Sequence, residues 1–269
     1  MATMNYKELS IAKLKQLAGG ISYLGAISQS VKMRLSYEHG TVTYCIYLAP
    51  ADMSGYNVCP NSKYCKQFCL NASGQNRVDV MARGVEGSFI NQSRIKKTKL
   101  FFENRELFIE IMVREIKSAQ KYAQKNNLGF SVRINGTSDL NPTIFKYDDK
   151  NILEVFPSVQ FYDYTKLPSR ISLLSKYPNY DLTLSYNGYN WEECKTFMDN
   201  GGKAAVVFEK GLPTTWRGYK VVDGNNYDMR YLDPNGCIIG LHYHPVASDF
   251  ASGHYISPKT PFVVLENDK

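Results

Sequence analysis

Short apolar runs alternate with segments of helical spacing along most of the chain. The strand-like runs are rich in β-branched and aromatic residues and cover 41–48, 130–134, 159–164, 182–186, 204–208 and 237–242. Helical spacing marks 7–17, the region 78–126, where it predicts two helices, and the shorter segments 151–156, 169–176 and 191–198. Strands that alternate with helices predict an α/β protein with a parallel sheet, most naturally a partial (β/α)6 TIM-like barrel preceded by an N-terminal helix.

One segment breaks the alternation. Residues 211–235 contain Gly224-Asn225-Asn226, which is typical of a turn, so this stretch is predicted to be a hairpin or a loop insertion before the last strand. Its charged residues Asp223, Asp228 and Arg230 are expected to form a buried network of ion pairs.

The chain has no linker, repeat or low-complexity tract that would divide it. A length of 269 residues with 43% hydrophobic content is enough for one large core. We therefore expect a single domain over 1–269, with an N-terminal helical extension (1–40), a core (41–245) and a C-terminal tail (246–269). No apolar run is long enough to span a bilayer, and the N-terminus lacks the apolar core of a signal peptide, so a cytoplasmic protein without a membrane partner is expected. The sequence carries no signal for an oligomeric state.

The net charge is +7, and the densest basic cluster is Arg94-Ile95-Lys96-Lys97-Thr98-Lys99. Two interpretations stay open. The cluster is either a solvated helix face or a surface for the phosphates of nucleic acid or a nucleotide. On the second interpretation the candidate nucleic-acid-binding residues are Arg94, Lys96, Lys97 and Lys99.

Three of the six cysteines, Cys59, Cys65 and Cys69, fall in one polar stretch after the first predicted strand. Structural zinc usually draws on two Cys or His pairs, and a disulfide needs an oxidising compartment. Three thiolates without an obvious fourth ligand suit a [4Fe-4S] cluster with one open iron. Zinc and reduced structural thiols remain alternatives. Cys45 and Cys194 are expected to be packing residues. Cys237 begins its strand, which puts it on the opposite rim from the cysteine stretch and makes it a poor fourth ligand.

Polar residues follow the ends of the predicted strands. In parallel α/β barrels the loops after the carboxyl ends of the strands build the site, so these residues should converge beside the three cysteines. The candidate substrate-binding residues are Asp163, Lys166, Asn187, Lys210, His242 and His244. They favour a small-molecule or nucleotide substrate.

The order of several motifs resembles a family of phage proteins, gene product 88, over roughly residues 40 to 245. The motifs are Cys59-Pro60 through Cys69, Val132-Arg133-Ile134-Asn135-Gly136 with Asp139, Phe161-Tyr162-Asp163-Tyr164-Thr165-Lys166, and Val222-Asp223-Gly224 with Asp228, Arg230 and Gly240-Leu241. The resemblance implies a viral protein located in the host cytoplasm or the virion.

By extension the pattern is similar to radical S-adenosylmethionine enzymes, in which three cysteines after the first strand of a partial barrel hold a [4Fe-4S] cluster. That similarity implies S-adenosylmethionine as a second cofactor, with Asn135, Ser138 and Asp139 as its binding residues. It also implies radical chemistry on a nucleotide or nucleic-acid substrate. The cysteine spacing departs from the Cys-x3-Cys-x2-Cys of those enzymes, since both gaps are wider here.

Two rival functions remain. The first is a non-enzymatic nucleic-acid-binding protein in which a structural iron–sulfur or zinc site orders a loop. The second is a hydrolase or transferase that uses Asp163, His242 and His244 and gives the cysteines no role.

Overall fold

A computed structural model of the protein describes residues 4–28, 30–250, 252 and 254–265. The strands are β1 Gly25–Ala26, β2 Thr41–Ile46, β3 Gly129–Arg133, β4 Lys146–Tyr147, β5 Lys150–Asn151, β6 Gln160–Thr165, β7 Tyr180–Ser185, β8 Lys203–Phe208, β9 Thr215–Trp216, β10 Tyr219–Asp223, β11 Cys237–His242 and β12 Val263–Val264. The α-helices are α1 Ile11–Leu17, α2 Val31–Glu38, α3 Gly74–Gly87, α4 Phe89–Glu103, α5 Arg105–Lys125, α6 Ile152–Val155 and α7 Trp191–Asp199. Short 3-10 segments are Tyr6–Glu8, Lys66–Phe68, Leu70–Ala72, Pro142–Ile144, Pro168–Leu173, Arg230–Leu232 and Ala247–Phe250.

A large, mostly parallel sheet runs through the molecule in the order β1-β2-β3-β6-β7-β8-β11-β10-β9, with β12 beside β8. The six strands predicted from the sequence are β2, β3, β6, β7, β8 and β11, and they are parallel neighbours in chain order. The predicted mixed α/β class with a parallel sheet is therefore confirmed. The described strands form no closed barrel, because β1 and β9 are the two edges of the sheet.

The helical region 78–126 contains three helices, α3, α4 and α5, so the prediction of two was wrong. The additional break lies at Ser88, whose hydroxyl accepts a hydrogen bond from the backbone N–H of Asn91 and begins α4. The predicted helix at 169–176 is instead the 3-10 segment Pro168–Leu173.

The predicted insertion is a hairpin in its first half. Strands β9 and β10 are antiparallel, and their turn contains Arg217 and Gly218, which both have positive φ. Strand β10 then pairs in parallel with β11. A turn was expected at Gly224, but this residue instead begins a segment, residues 224–233, that packs against the sheet. In this packing the ring centroids of Tyr162 and Tyr231 are 5.6 Å apart.

The two faces of the sheet differ in chemistry, because successive strand residues point to opposite sides. One face is apolar. Its core includes Tyr44, Val132 and Phe161 together with the buried side of α5, and each fully buried aliphatic or aromatic side chain contributes about 1.5–3 kcal/mol. The opposite face, which we call the inner face, is polar and is lined by Thr43, Ser131, Arg133, Tyr162, Tyr164, Asp181, Thr183 and Lys203. None of the described helices has both the length and the apolarity to cross a membrane.

Candidate metal site at the carboxyl edge of the sheet

The clustered cysteines lie in the segment between β2 and α3, and we call residues 59–69 the cysteine loop. The loop begins next to the end of β3. The thiol of Cys59 donates to the carbonyl of Thr137 over 3.7 Å, and the backbone N–H of Asp139 donates to the carbonyl of Val58 over 2.8 Å. The first cysteine is therefore held against the segment that follows β3.

The cysteine loop then extends across the ends of further strands. Asn61 donates to the carbonyl of Lys166, just after β6, over 3.0 Å. The ring of Tyr64 lies 4.1 Å from that of Tyr189, after β7. One further ring contact, Phe68 with Tyr243 at 6.4 Å, reaches the end of β11. The loop thus lies over the carboxyl ends of four parallel strands.

The three loop cysteines are half-buried, in contrast to the fully buried Cys45, Cys194 and Cys237. Burial raises the pKa of Cys59 to about 12, and the charges of Cys69 and Cys65 raise it further. Burial also raises the pKa of Cys69, against the opposing effects of a 3.4 Å hydrogen bond from the N–H of Asn71 and of the charges of Lys166 and Arg94. The charges of neighbouring thiolates thus disfavour ionisation of Cys59 and Cys69, and a bound cation would favour it.

The sulfur atoms are not gathered into a closed coordination site. Across residues 4–28, 30–250, 252 and 254–265, no group of three or more His, Cys, Asp or Glu side chains is arranged to hold a metal ion. Metal binding at the cysteine loop would therefore require its three cysteines to move together.

Beside the loop lies a buried hydrogen-bond network that joins the ends of β3 and β6. Asn135 donates from its backbone and its side chain to Asp163, over 3.0 and 2.9 Å, and accepts from Ser138 over 2.8 Å. Arg170 pairs with Asp139 at 2.5 Å and with Asp163 at 3.0 Å. Burial raises the pKa of Asp163, and the charge of Arg170 opposes that rise. The predicted cofactor-binding residues Asn135, Ser138 and Asp139 therefore already have hydrogen-bond or ion-pair partners within this network.

Sequence reasoning missed Arg170. It lies in the 3-10 segment Pro168–Leu173 and is only 2% exposed, so that its guanidinium reaches both carboxylates from within the core. The only available signal was an arginine among the serines and aliphatic residues of the otherwise uncharged stretch from Pro168 to Leu174.

The remaining strand-end residues fall into two groups. Lys166 lies near the cysteine loop, because its charge acts on the thiol of Cys69. The second group lies at the surface. Asn187 caps a turn, accepting from the backbone of Tyr189 and Asn190, while Lys210, His242 and His244 are exposed. Partial desolvation together with the charges of Lys32 and His242 lowers the pKa of His244.

The four basic residues of α4 do not share one surface. Arg94 packs over the ring of Tyr47 at 5.1 Å, and Lys97 is only 4% exposed with its ammonium 4.7 Å from the ring centroid of Tyr23. Lys96 and Lys99 are exposed. The four side chains therefore do not form one continuous basic face, because α4 turns Arg94 and Lys97 toward the protein.

The inner face carries the predicted network of buried charges. Arg133 donates to Asp228 over 2.8 Å, Tyr162 donates to the same carboxylate over 3.1 Å, and Arg230 pairs with Asp233 at 3.1 Å. In contrast to the prediction, Asp223 is exposed and accepts from its neighbour Asn225. Several buried polar atoms of this face have no hydrogen-bond partner in the described part of the chain: Arg133 Nε, Tyr164 OH, Asp181 Oδ1, Thr183 Oγ1, Asp228 Oδ1 and Arg230 Nη1.

The comparisons with known proteins give one match. The model of a phage protein family described as gene product 88 matches residues 12–253, which is most of the chain. No curated protein and no solved structure matches significantly.

Proposed function

The chain belongs to the gene product 88 family, and from that premise and the position of the cysteine loop we propose that Cys59, Cys65 and Cys69 ligate a [4Fe-4S] cluster. One observation carries the proposal. The loop that bears all three thiols lies across the carboxyl ends of β3, β6, β7 and β11, where parallel α/β proteins build their sites. We also propose that the six parallel strands β2, β3, β6, β7, β8 and β11 form a partial barrel.

The donor set suits such a cluster. Thiolates are the ligands of iron–sulfur clusters, and hydrogen bonds to the sulfur atoms tune them. The N–H of Asn71 already donates to the sulfur of Cys69, and the charges of Arg94 and Lys166 favour the thiolate form of that residue. Because the sulfur atoms are not gathered among the described residues, cluster binding would be coupled to closure of the loop.

We further propose that S-adenosylmethionine binds beside the loop in the manner of radical enzymes. The cluster, when bound, would supply an iron with an open coordination position and a source of single electrons. Ser138 would present its hydroxyl oxygen to the ammonium of the ligand. The surrounding segments would be held in place by residues whose polar groups are already paired, namely Asn135, Asp139, Asp163 and Arg170. Lys166 and His244 would contact the substrate.

The test is anaerobic purification followed by an absorption spectrum and analysis of iron, sulfide and zinc. We expect about four irons and four sulfides per chain. Cys65→Ser should lose the iron, whereas Cys237→Ser should keep it, because Cys237 is buried away from the loop and a serine can still donate to the carbonyl of Pro234. A colourless protein with stoichiometric zinc would contradict the iron–sulfur assignment.

The cofactor has a test of its own. Electron paramagnetic resonance of the reduced protein should change when S-adenosylmethionine is added. An unchanged spectrum would remove the radical chemistry while leaving the cluster.

A second candidate function is that of a nucleic-acid-binding protein with a structural iron–sulfur or zinc site. A cleft of about 290 Å³ favours it, because the cleft is lined by Tyr23, Phe89 and Lys96, with the Phe89 side chain 65% exposed. Exposed aromatic rings beside lysines stack bases and contact phosphates. Phe89→Ala should then weaken the binding of single-stranded oligonucleotides, while Val78→Ala, at another exposed apolar residue, should leave it unchanged.

A further inference from the structure

Three aromatic rings meet between the carboxyl end of β7 and the hairpin of β9 and β10, and we call them the aromatic cage. The ring centroids of Trp191 and Trp216 are 5.1 Å apart, and the planes of the two rings cross at 80°. The third ring is that of Tyr186, just after β7, which lies 5.5 Å from Trp216 and 6.3 Å from Trp191. Because each pair of rings is steeply inclined, the rings form walls rather than a stack.

The side chain of Arg217 occupies the aromatic cage. Its guanidinium carbon lies 4.6 Å from the ring centroid of Trp216, 4.8 Å from that of Trp191 and 5.9 Å from that of Tyr186. A ring attracts a cation over a distance of about 6 Å from its centroid. A cation at this one position is therefore within reach of all three rings.

Few other contacts keep Arg217 in the aromatic cage. Its side chain is exposed and forms no ion pair or hydrogen bond with another residue in the described part of the chain. Arg217 and Gly218 have φ values of 49° and 85° and form the two-residue turn between β9 and β10. Such a turn favours asparagine or glycine at its first position, so an arginine there is strained. The cation that fills the cage can therefore leave without breaking a polar contact.

We propose that the aromatic cage is a binding site for a quaternary ammonium group, which takes the place of the Arg217 guanidinium. A planar guanidinium lies flat on only one of two perpendicular rings, whereas a rounded trimethylammonium group presents methyl groups to both. Aromatic cages are the sites by which proteins recognise quaternary ammonium groups. Choline and the side chain of trimethyllysine both carry this group. No residue of the cysteine loop belongs to the cage, so this site is separate from the proposed cluster.

The chain has 2 tryptophans, and both line the aromatic cage, so tryptophan fluorescence reports on this site alone. The experiment titrates the full chain with choline and follows that fluorescence. We expect weak, saturable binding to the parent protein, because Arg217 competes for the cage. Arg217→Gly removes the competing cation and suits the positive φ. It should bind choline at least about tenfold more tightly, since an open state populated to about 10% or less reduces affinity by that factor.

Two variants and one compound serve as controls, with thermal unfolding to confirm that each variant is folded. Lys220→Gln removes an exposed charge from the same hairpin and should bind choline as the parent does. Arg217→Gly/Trp191→Leu removes one wall and should lose binding, with Trp216 left as the reporter. The neutral analogue of choline with carbon in place of nitrogen should not bind.

A trimethyllysine peptide distinguishes the two sources of the cation. Binding tighter than that of choline would identify a polypeptide side chain as the ligand, and binding no tighter would identify a free ammonium compound. Absence of saturable binding in Arg217→Gly would overturn the proposal. So would a similar gain in Lys220→Gln, unchanged binding in Arg217→Gly/Trp191→Leu, or equal affinity for the neutral analogue.

Discussion

The Nη1 atom of Arg133, on β3, lies 2.8 Å from Oδ2 of Asp228, although the two residues are 95 positions apart in the chain. Their pairing fixes segment 224–233 to the inner face of the sheet. Burial by itself would raise the pKa of Asp228, but the charges of Arg133, Lys32 and Arg230 outweigh burial and hold that pKa below its ordinary value. The carboxylate is thus kept ionised by the cations around it.

Removal of one member of this pair should cost far more stability than removal of a surface charge. We expect Arg133→Met or Asp228→Asn to lower the free energy of unfolding by about 3–5 kcal/mol, because each leaves a buried charge without its partner. The double variant should lose less than the sum of the single variants, as coupled residues do. Urea unfolding measures these values.

The matched control is the exposed pair of Lys195 with Asp199, 2.8 Å apart on α7. Lys195→Gln should leave the urea midpoint unchanged, because solvent screens exposed pairs. If the losses in Arg133→Met and Asp228→Asn simply add, the two residues are not coupled and the pairing does not hold the segment.

Gly224 lies where the same segment leaves β10, and it has no room for a side chain. A Cβ atom there would meet Ile239 Cγ2 at 2.5 Å, Arg230 Nη1 at 2.7 Å and Leu241 Cδ2 at 2.8 Å. Because Ile239 is β-branched and fixed in β11, it cannot move aside easily. Gly224→Ala should therefore destabilise the protein by about 1–3 kcal/mol, as overpacking of a core does.

The control for that substitution is Asn226→Ala, at an exposed position two residues further on. Both variants can be compared by thermal unfolding at one pH. A Gly224→Ala variant with the midpoint of the parent protein would show that segment 224–233 packs loosely.

The strands could be predicted from the sequence because each is a short run of β-branched and aromatic residues. The inner face could be predicted only in part, because the buried charges of Asp228 and Arg230 were expected but not the strand residues that they contact. In the run Val132-Arg133-Ile134 the arginine alternates with apolar residues, which is also the pattern of a strand with one solvent-facing side. Only the return of segment 224–233 onto the sheet covers most of Arg133, and that contact spans 95 positions.

The basic run of α4 shows the same limit at the site. Its composition identified four cations but not their directions. Lys97 is four residues before the buried Phe101 and shares its inward side, while Lys96 and Lys99 face outward. Helical spacing relative to Phe101 would have separated the two sets.

Metal binding should order the cysteine loop if the proposed function is right. The three cysteines are not gathered in the described structure, so binding must draw residues 59–69 together. We expect slower amide hydrogen exchange in this loop after anaerobic reconstitution with iron and sulfide, and no such change in Cys65→Ser. Exchange in β7 provides the internal control, because its central residues are buried in the sheet in either state. Equal exchange with and without metal would contradict loop closure.

Lys97 provides the sharpest test of an internal charge. It is 4% exposed, and burial lowers its pKa from 10.5 to about 8, a shift that the charge of Glu115 opposes and the charge of Arg94 increases. In the unfolded chain the lysine keeps its proton up to about pH 10.4, so between pH 8 and 10.4 the unfolded state binds more protons than the folded one. The contribution of Lys97 to stability should therefore rise with pH across that window and be unfavourable below it.

Lys97→Met keeps the length of the side chain and removes the charge. At pH 7 it should raise the free energy of unfolding by about 1–3 kcal/mol, since an apolar residue replaces a poorly compensated buried cation. The gain should shrink as the pH rises from 8 toward 10, because the parent lysine is then neutral in the folded state. Urea unfolding of both proteins at pH 7, 8, 9 and 10 measures the difference, with Lys96→Met as the control at an exposed position. A gain that stays constant with pH would mean that Lys97 keeps its proton in the folded protein, and a loss of stability at pH 7 would mean that its contact with Tyr23 outweighs the cost of burial.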